Sequence, residues 1–98
     1  MTSDIRPVLK HLEIDDKGYY DNHFYIINLE NSNEYAKMYT KLDKKAINTE
    51  YPEFETNSNS NTTKVVNYFE LEESEIIYNI FLFADFKNDK YYVKIGEK

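Results

Sequence analysis

The chain has 98 residues, a formal net charge of −6 and no cysteine. A chain of this length holds one domain, residues 1–98, and the lack of cysteine excludes disulfides and thiolate metal sites. Ten tyrosines and six phenylalanines, with no tryptophan, are present. We therefore expect a small core that is built largely from aromatic side chains.

A short amphipathic helix is predicted over residues 4–13. Four apolar residues follow the spacing i, i+3, i+4, i+7, which places them on one side of a helix; they are Ile5, Val8, Leu9 and Leu12. Asp4 is a candidate N-cap, and Pro7 then falls in the first turn, where a missing N–H costs little. Because the residue before a proline disfavours helical dihedrals, a start near Pro7 is the alternative.

The next segment is predicted to form a hairpin of two strands. Residues 19–29 are rich in aromatic and β-branched side chains, which favours a first strand. Residues 34–43 alternate, with Ala36, Met38, Thr40 and Leu42 on one face, which favours a second strand. A helix over residues 34–47, capped by Ser32 or Asn33, is the competing interpretation.

A polar tract separates the two halves of the chain. Residues 56–63 contain only Asn, Ser and Thr, so they have no side chain that anchors a core. We expect a mobile surface loop there.

The clearest pattern lies in the last third of the chain. Strands are predicted at 64–71, 75–86 and 91–95, the last two joined by the turn Lys87-Asn88-Asp89-Lys90. Residues 76, 78, 80, 82, 84 and 86 form one face of the middle strand, while Ile77, Phe81 and Phe83 lie on the other, as expected of a central strand covered on both sides. The predicted fold is α+β: an antiparallel sheet of four to five strands with one short N-terminal helix packed against it.

Candidate catalytic residues are few. The two histidines, His11 and His23, are not spaced with a carboxylate in any known catalytic arrangement. The acids around Gly18 do not fit a calcium loop, and two glycines exclude a glycine-rich phosphate loop. We therefore expect no catalytic residue, no metal and no cofactor, and a protein that is not an enzyme.

Two features point to the compartment. The segment Met1 to Arg6 lacks the basic and apolar stretches of a secretory signal, and no run approaches 18 apolar residues. We expect no membrane contact and a cytoplasmic location, which is the host cytoplasm if the gene belongs to a phage.

The negative charge is concentrated in the segment 50–86, which carries eight acids and one lysine. Direct binding of nucleic acid is disfavoured, because phosphate contacts need a basic surface. Acids flanked by aromatic residues instead predict a surface that binds a basic protein. The candidate partner-binding residues are Glu70, Glu72, Glu73 and Glu75 with Tyr68 and Tyr78, and Glu50, Glu53, Phe54 and Glu55 upstream. Solvating charges at the end of a hairpin are the alternative explanation.

The function predicted from this surface is inhibition by protein–protein contact. In size and acidic composition, though in no motif, the chain resembles small phage and mobile-element proteins that block host nucleic-acid enzymes. Anti-CRISPR proteins, restriction inhibitors and uracil-glycosylase inhibitors are examples, and the resemblance implies a nucleic-acid mimic. Two alternatives stay open: an immunity or antitoxin-like partner of a basic toxin, and a structural or assembly subunit that forms a homodimer.

Overall fold

The computed structural model describes residues 5–15, 17–50 and 64–98. In chain order the elements are α1 (Arg6–Leu12), β1 (Tyr19–Asp21), β2 (Phe24–Leu29), α2 (Ser32–Lys45), β3 (Lys64–Glu73), β4 (Ile76–Asp85) and β5 (Lys90–Glu97). The polar tract 56–63 lies outside the described residues. The predicted α+β class with an antiparallel sheet is confirmed, with two helices in place of one.

The five strands form one sheet in the order β1-β2-β5-β4-β3, and every neighbouring pair is antiparallel. The predicted hairpin of β4 and β5 lies in the middle, with β5 as the central strand. The edges are β1, which has three residues, and β3, which has ten. An isolated bridge between Asn48 and Glu70 adds a backbone contact on the outer side of β3.

The strand predicted over residues 34–43 is wrong, because this segment forms the helix α2. The Asn31 side chain caps the helix by accepting a hydrogen bond from Glu34 N–H at 2.9 Å. The Glu34 carboxylate accepts one from Glu30 N–H at 2.8 Å, so both side chains satisfy free donors at the helix start. Met38 and Leu42, one turn apart, are the buried residues of the helix.

The segment 19–29, predicted to be one strand, is a hairpin of two. A turn at Asn22 and His23 separates β1 from β2, and Asn22 adopts a positive φ of 58°. Asparagine tolerates this left-handed conformation better than most residues. The chain therefore reverses here, and β1 becomes a short edge strand.

The hairpin of β3 and β4 turns at Ser74 and Glu75, whose φ angles are 55° and 67°. Two positive φ angles in a two-residue turn match the twist of the flanking strands, but they favour Asn and Gly. Glutamate at the second position therefore introduces local backbone strain.

The core lies on one face of the sheet, where both helices pack. We call it the helix-covered face, because it is covered by Val8, Leu9 and Leu12 of α1 and by Met38 and Leu42 of α2. The strands contribute Tyr25, Ile27, Phe69, Leu71, Tyr78, Ile80, Leu82, Val93 and Ile95. Even-numbered residues of β4 thus face the core, as predicted.

Within the described part of the chain, neither helix has the length and apolar character that crossing a bilayer requires.

Candidate functional site

No helix of the described residues packs on the opposite face of the sheet, which we call the open face. Antiparallel pairing aligns its side chains in rows across the strands. One row contains Val66, Phe83, Tyr92 and Asn28, and the next contains Tyr68, Phe81, Lys94, Ile26 and Tyr19. Phe24 joins them from the adjacent row, through its contact with Phe81.

The rings of the open face form one connected set. Phe83 and Tyr92 stack with their centroids 4.5 Å apart and their planes at 14°. Phe81 lies 5.2 Å from Tyr68, 6.2 Å from Phe24 and 6.5 Å from Phe83. These distances are within the range of favourable ring pairs, so the five rings hold each other in place although neither described helix covers them.

Lys94 lies in the middle of the open face. Its Nζ atom is 5.7 Å from the ring centroid of Phe24 and 5.7 Å from that of Phe83, which is the geometry of a cation–π contact. The ion pairs found among the described residues do not involve it. The open face thus presents one half-buried cation surrounded by aromatic carbon.

Charges of both signs border the rings. Lys64, Asp85 and Lys90 form the row at one end of the open face. Glu72 lies at the other end and Asp21 at the β1 edge. Beside the ion pair of Glu70 with Lys98, three cations (Lys94 included) and three anions occupy this face, which is therefore close to neutral although the chain carries −6.

A buried polar network closes one end of the open face around Glu70, which is 5% exposed. Its Oε2 atom accepts hydrogen bonds from the Tyr68 hydroxyl at 2.6 Å, from Lys98 Nζ at 3.1 Å and from Asn48 Nδ2 at 3.2 Å. The Tyr68 hydrogen bond, followed by those from Lys98 and Asn48, lowers the pKa of Glu70 against the opposing effect of burial.

The Tyr68 hydroxyl also lies 2.6 Å from Asn79 Oδ1. A hydroxyl carries one hydrogen, so with Glu70 ionised the proton goes to the carboxylate, and the Asn79 amide must turn its NH2 group toward the hydroxyl oxygen. The network is therefore satisfied internally.

The predicted acidic surface is not assembled as one exposed group. Glu70 is buried in the network, and Tyr68 is 7% exposed beside it. Tyr78 is 1% exposed and lies on the helix-covered face. Glu73 Oε2 pairs with His11 Nδ1 at 2.9 Å, next to the basic side of α1. This differs from the prediction because alternation fixes which face a residue occupies but not whether its neighbours cover it.

The remaining predicted residues are more dispersed. Glu72 and Glu75 are exposed near the β3–β4 turn. Glu50 is exposed, and its backbone contacts the Asn48 side chain. Glu53, Phe54 and Glu55 lie outside the described residues.

Five residues of the open face are not among the predicted site residues: Phe24, Phe81, Phe83, Tyr92 and Lys94. The available signal is the second apolar face of β4, which predicts a strand covered on both sides and not a binding surface. The register of β4 with β5 and β2 adds the other three.

Other chemistry finds little support in the described residues. The described residues contain no group of three His, Asp or Glu side chains that could hold a metal ion. A cleft between α2 and β2, bordered by charges of both signs including Glu34 and Lys41, has a volume of about 180 Å³. That is below the 300–1,000 Å³ or so that small-molecule sites occupy. A second depression, beside Lys10, His11 and Glu73, has a volume of about 490 Å³ but is shallow and widely open to solvent.

No family model, no curated protein and no solved structure matches this chain.

Proposed function

We propose that the protein binds another protein through its open face and does not catalyse a reaction. The observation that carries the proposal is the connected set of five aromatic rings on the face that no described helix covers. A solvated face of an antiparallel sheet normally carries polar side chains. Here the two middle rows are mainly aromatic and aliphatic.

The rings are suited to binding because they are already ordered. Phe81 contacts Tyr68, Phe24 and Phe83, so little side-chain freedom remains to be lost on association. Aromatic residues are enriched in the centres of protein interfaces, and charged residues are commoner at their rims. Apart from Lys94, the charges of the open face follow that arrangement.

Nucleic acid is a poor fit to this face. Stacking rings suit exposed bases, but strand binding also needs a basic groove that follows the phosphates. Three acids offset the three lysines of the open face, and the chain as a whole is negative. A protein surface is therefore the favoured partner.

The experiment is site-specific photo-crosslinking in cells of the native host. A p-benzoylphenylalanine replaces Phe83 on the open face or, as the control, Phe86, which is 48% exposed and contacts Tyr35 and Tyr91 on the other side. We expect a discrete adduct from position 83 and none of the same mass from position 86. Equal or absent crosslinking at the two positions would refute the proposal.

The acidic inhibitor is a second candidate, supported by the net charge of −6 and the exposed Glu72 and Glu75. In that role the protein blocks a nucleic-acid-binding enzyme with a basic surface, in the manner of an anti-CRISPR protein or another DNA mimic. Replacing both residues with Gln tests it: affinity for the crosslinked partner should fall at least about tenfold at low salt. The cytoplasmic location stays a prediction.

A further inference from the structure

The open face has the dimensions of a small protein interface. Its five strands contain 3, 6, 10, 10 and 8 residues. With about 3.4 Å per residue and about 4.8 Å between strands, the projected area is on the order of 600 Å². Two such faces in contact bury roughly 1,200 Å², which is the lower end of the range for specific interfaces.

The charges of the open face select among partners. A basic protein is attracted to the −6 chain in general, but the open face adds nothing to that attraction because its three lysines and three acids balance. An acidic protein is repelled by the chain as a whole. A second copy also carries −6 and is repelled at long range, but its open face is neutral and mixed and adds no further repulsion at the contact.

We propose that the open face packs against the open face of a second copy of this chain. The inference rests on the proposed function and names its partner. The product is a two-layer sandwich of antiparallel sheets, with the helices on the outside. Face-to-face packing of sheets is a common way to cover their inner surfaces, and it places the rings of Phe81, Phe83 and Tyr92 in the shared core.

Lys94 is compatible with this contact because of its position over two rings. A cation–π contact strengthens when water is excluded, which offsets part of the cost of desolvating the ammonium group. The aliphatic stem of the side chain adds apolar surface, and the ammonium group keeps the faces of Phe24 and Phe83 as partners.

The test is analytical ultracentrifugation of the full chain from about 2 to 400 μM. We expect a weak dimer, with a Kd on the order of 1–100 μM, within the range that this concentration series measures. Higher salt should tighten the dimer, because it screens the repulsion between two chains of charge −6.

Two variants act on the open face with different risks to folding. Tyr92→Ser removes a ring that stacks on Phe83. Asn28→Glu adds a charge at an exposed position of the same row, where little packing is lost. Each variant should raise the Kd of the dimer at least tenfold. Its far-ultraviolet circular dichroism spectrum should match that of the parent, which shows that the variant is folded. The control, Phe86→Ser, removes an exposed ring outside the open face and should leave the Kd within about twofold.

A chain that stays monomeric throughout the concentration range overturns the inference. So does a dimer that folded Asn28→Glu leaves unchanged. The mass of the adduct from position 83 distinguishes a failure of the dimer proposal from a failure of the proposed function. An adduct of twice the chain mass supports the second copy, and an adduct with a different protein overturns it while supporting binding through the open face. Absence of any adduct specific to position 83 overturns both.

Discussion

Glu70→Gln tests whether the buried carboxylate stabilises the fold instead of belonging to an exposed binding surface. The Tyr68 hydroxyl donates to it at 2.6 Å in a buried position, and a hydrogen bond to a charged group contributes about 1.5–3 kcal/mol. The Lys98 side chain is 53% exposed, so its ion pair contributes at most about 1 kcal/mol. Glutamine keeps the shape and one acceptor oxygen, so we expect a loss of about 1–2 kcal/mol at pH 7.

Urea denaturation at pH 7 measures this loss. The matched control is Glu73→Gln on the same strand, because Glu73 pairs with His11 at 2.9 Å and both side chains are partly exposed. The control should cost less than about 0.5 kcal/mol. A Tyr68→Phe variant completes a double-mutant cycle, in which the two losses should not add because both substitutions remove the same hydrogen bond.

The pH dependence of the same variant gives a second readout. The hydrogen bonds from Tyr68, Lys98 and Asn48 place the folded-state pKa of Glu70 below its ordinary value of 4.5. The ionised carboxylate therefore contributes stability that is present above pH 4.5 and is lost as the pH falls through the folded-state pKa. The stability gap between the parent and Glu70→Gln should close over that acidic range. A gap that is absent at pH 7, or that stays constant down to pH 3, would refute the reasoning.

Three further predictions concern the fold. Replacing Ser74-Glu75 with Asn-Gly should raise the free energy of unfolding by about 1 kcal/mol, since both positions have positive φ; a loss in urea denaturation would contradict the turn geometry. Gly18→Ala should cost about 3 kcal/mol, because its Cβ would collide with the backbone carbonyl oxygen of Ile26. Gly96→Ala should cost about 1 kcal/mol, because there the only close contact below 3.0 Å is with the Phe24 ring. In hydrogen exchange, amides in the middle of β4 and β5 should be the slowest and those of β1 the fastest of the strands; the reverse order would contradict the strand order.

The sheet could be predicted from the sequence where one period dominates. The helix α2 was only the alternative interpretation of residues 34–47, because two periods coincide there. Met38 and Leu42 are four residues apart, which fits both an alternating strand and one side of a helix. Asn31 followed by Glu34 was the deciding signal, since these two residues satisfy the donors at the helix start. Turn residues before a segment therefore carried more information here than the alternation within it.

The acidic surface was overestimated for a related reason. Spacing correctly puts Glu70 and Glu72 on one face of β3, but burial depends on partners that are distant in sequence. Asn48 lies 22 residues before Glu70 and Lys98 lies 28 residues after it. No local pattern identifies such partners, so one glutamate became the centre of a buried network while its neighbour stayed exposed.

The second apolar face of β4 predicts a covered strand from sequence alone, but the strand register places this face on the open side of the sheet. Apolar residues on this face of β4, namely Ile77, Phe81 and Phe83, predict a strand covered on both sides, yet the described helices cover only the other face. A sheet with apolar side chains on both faces needs a covering layer on each. The rings of the open face are fixed by their mutual contacts, and the charges around them balance. The proposed protein contact at this face would supply the second layer, and Asn28→Glu tests it directly because it changes the contact without disturbing the core.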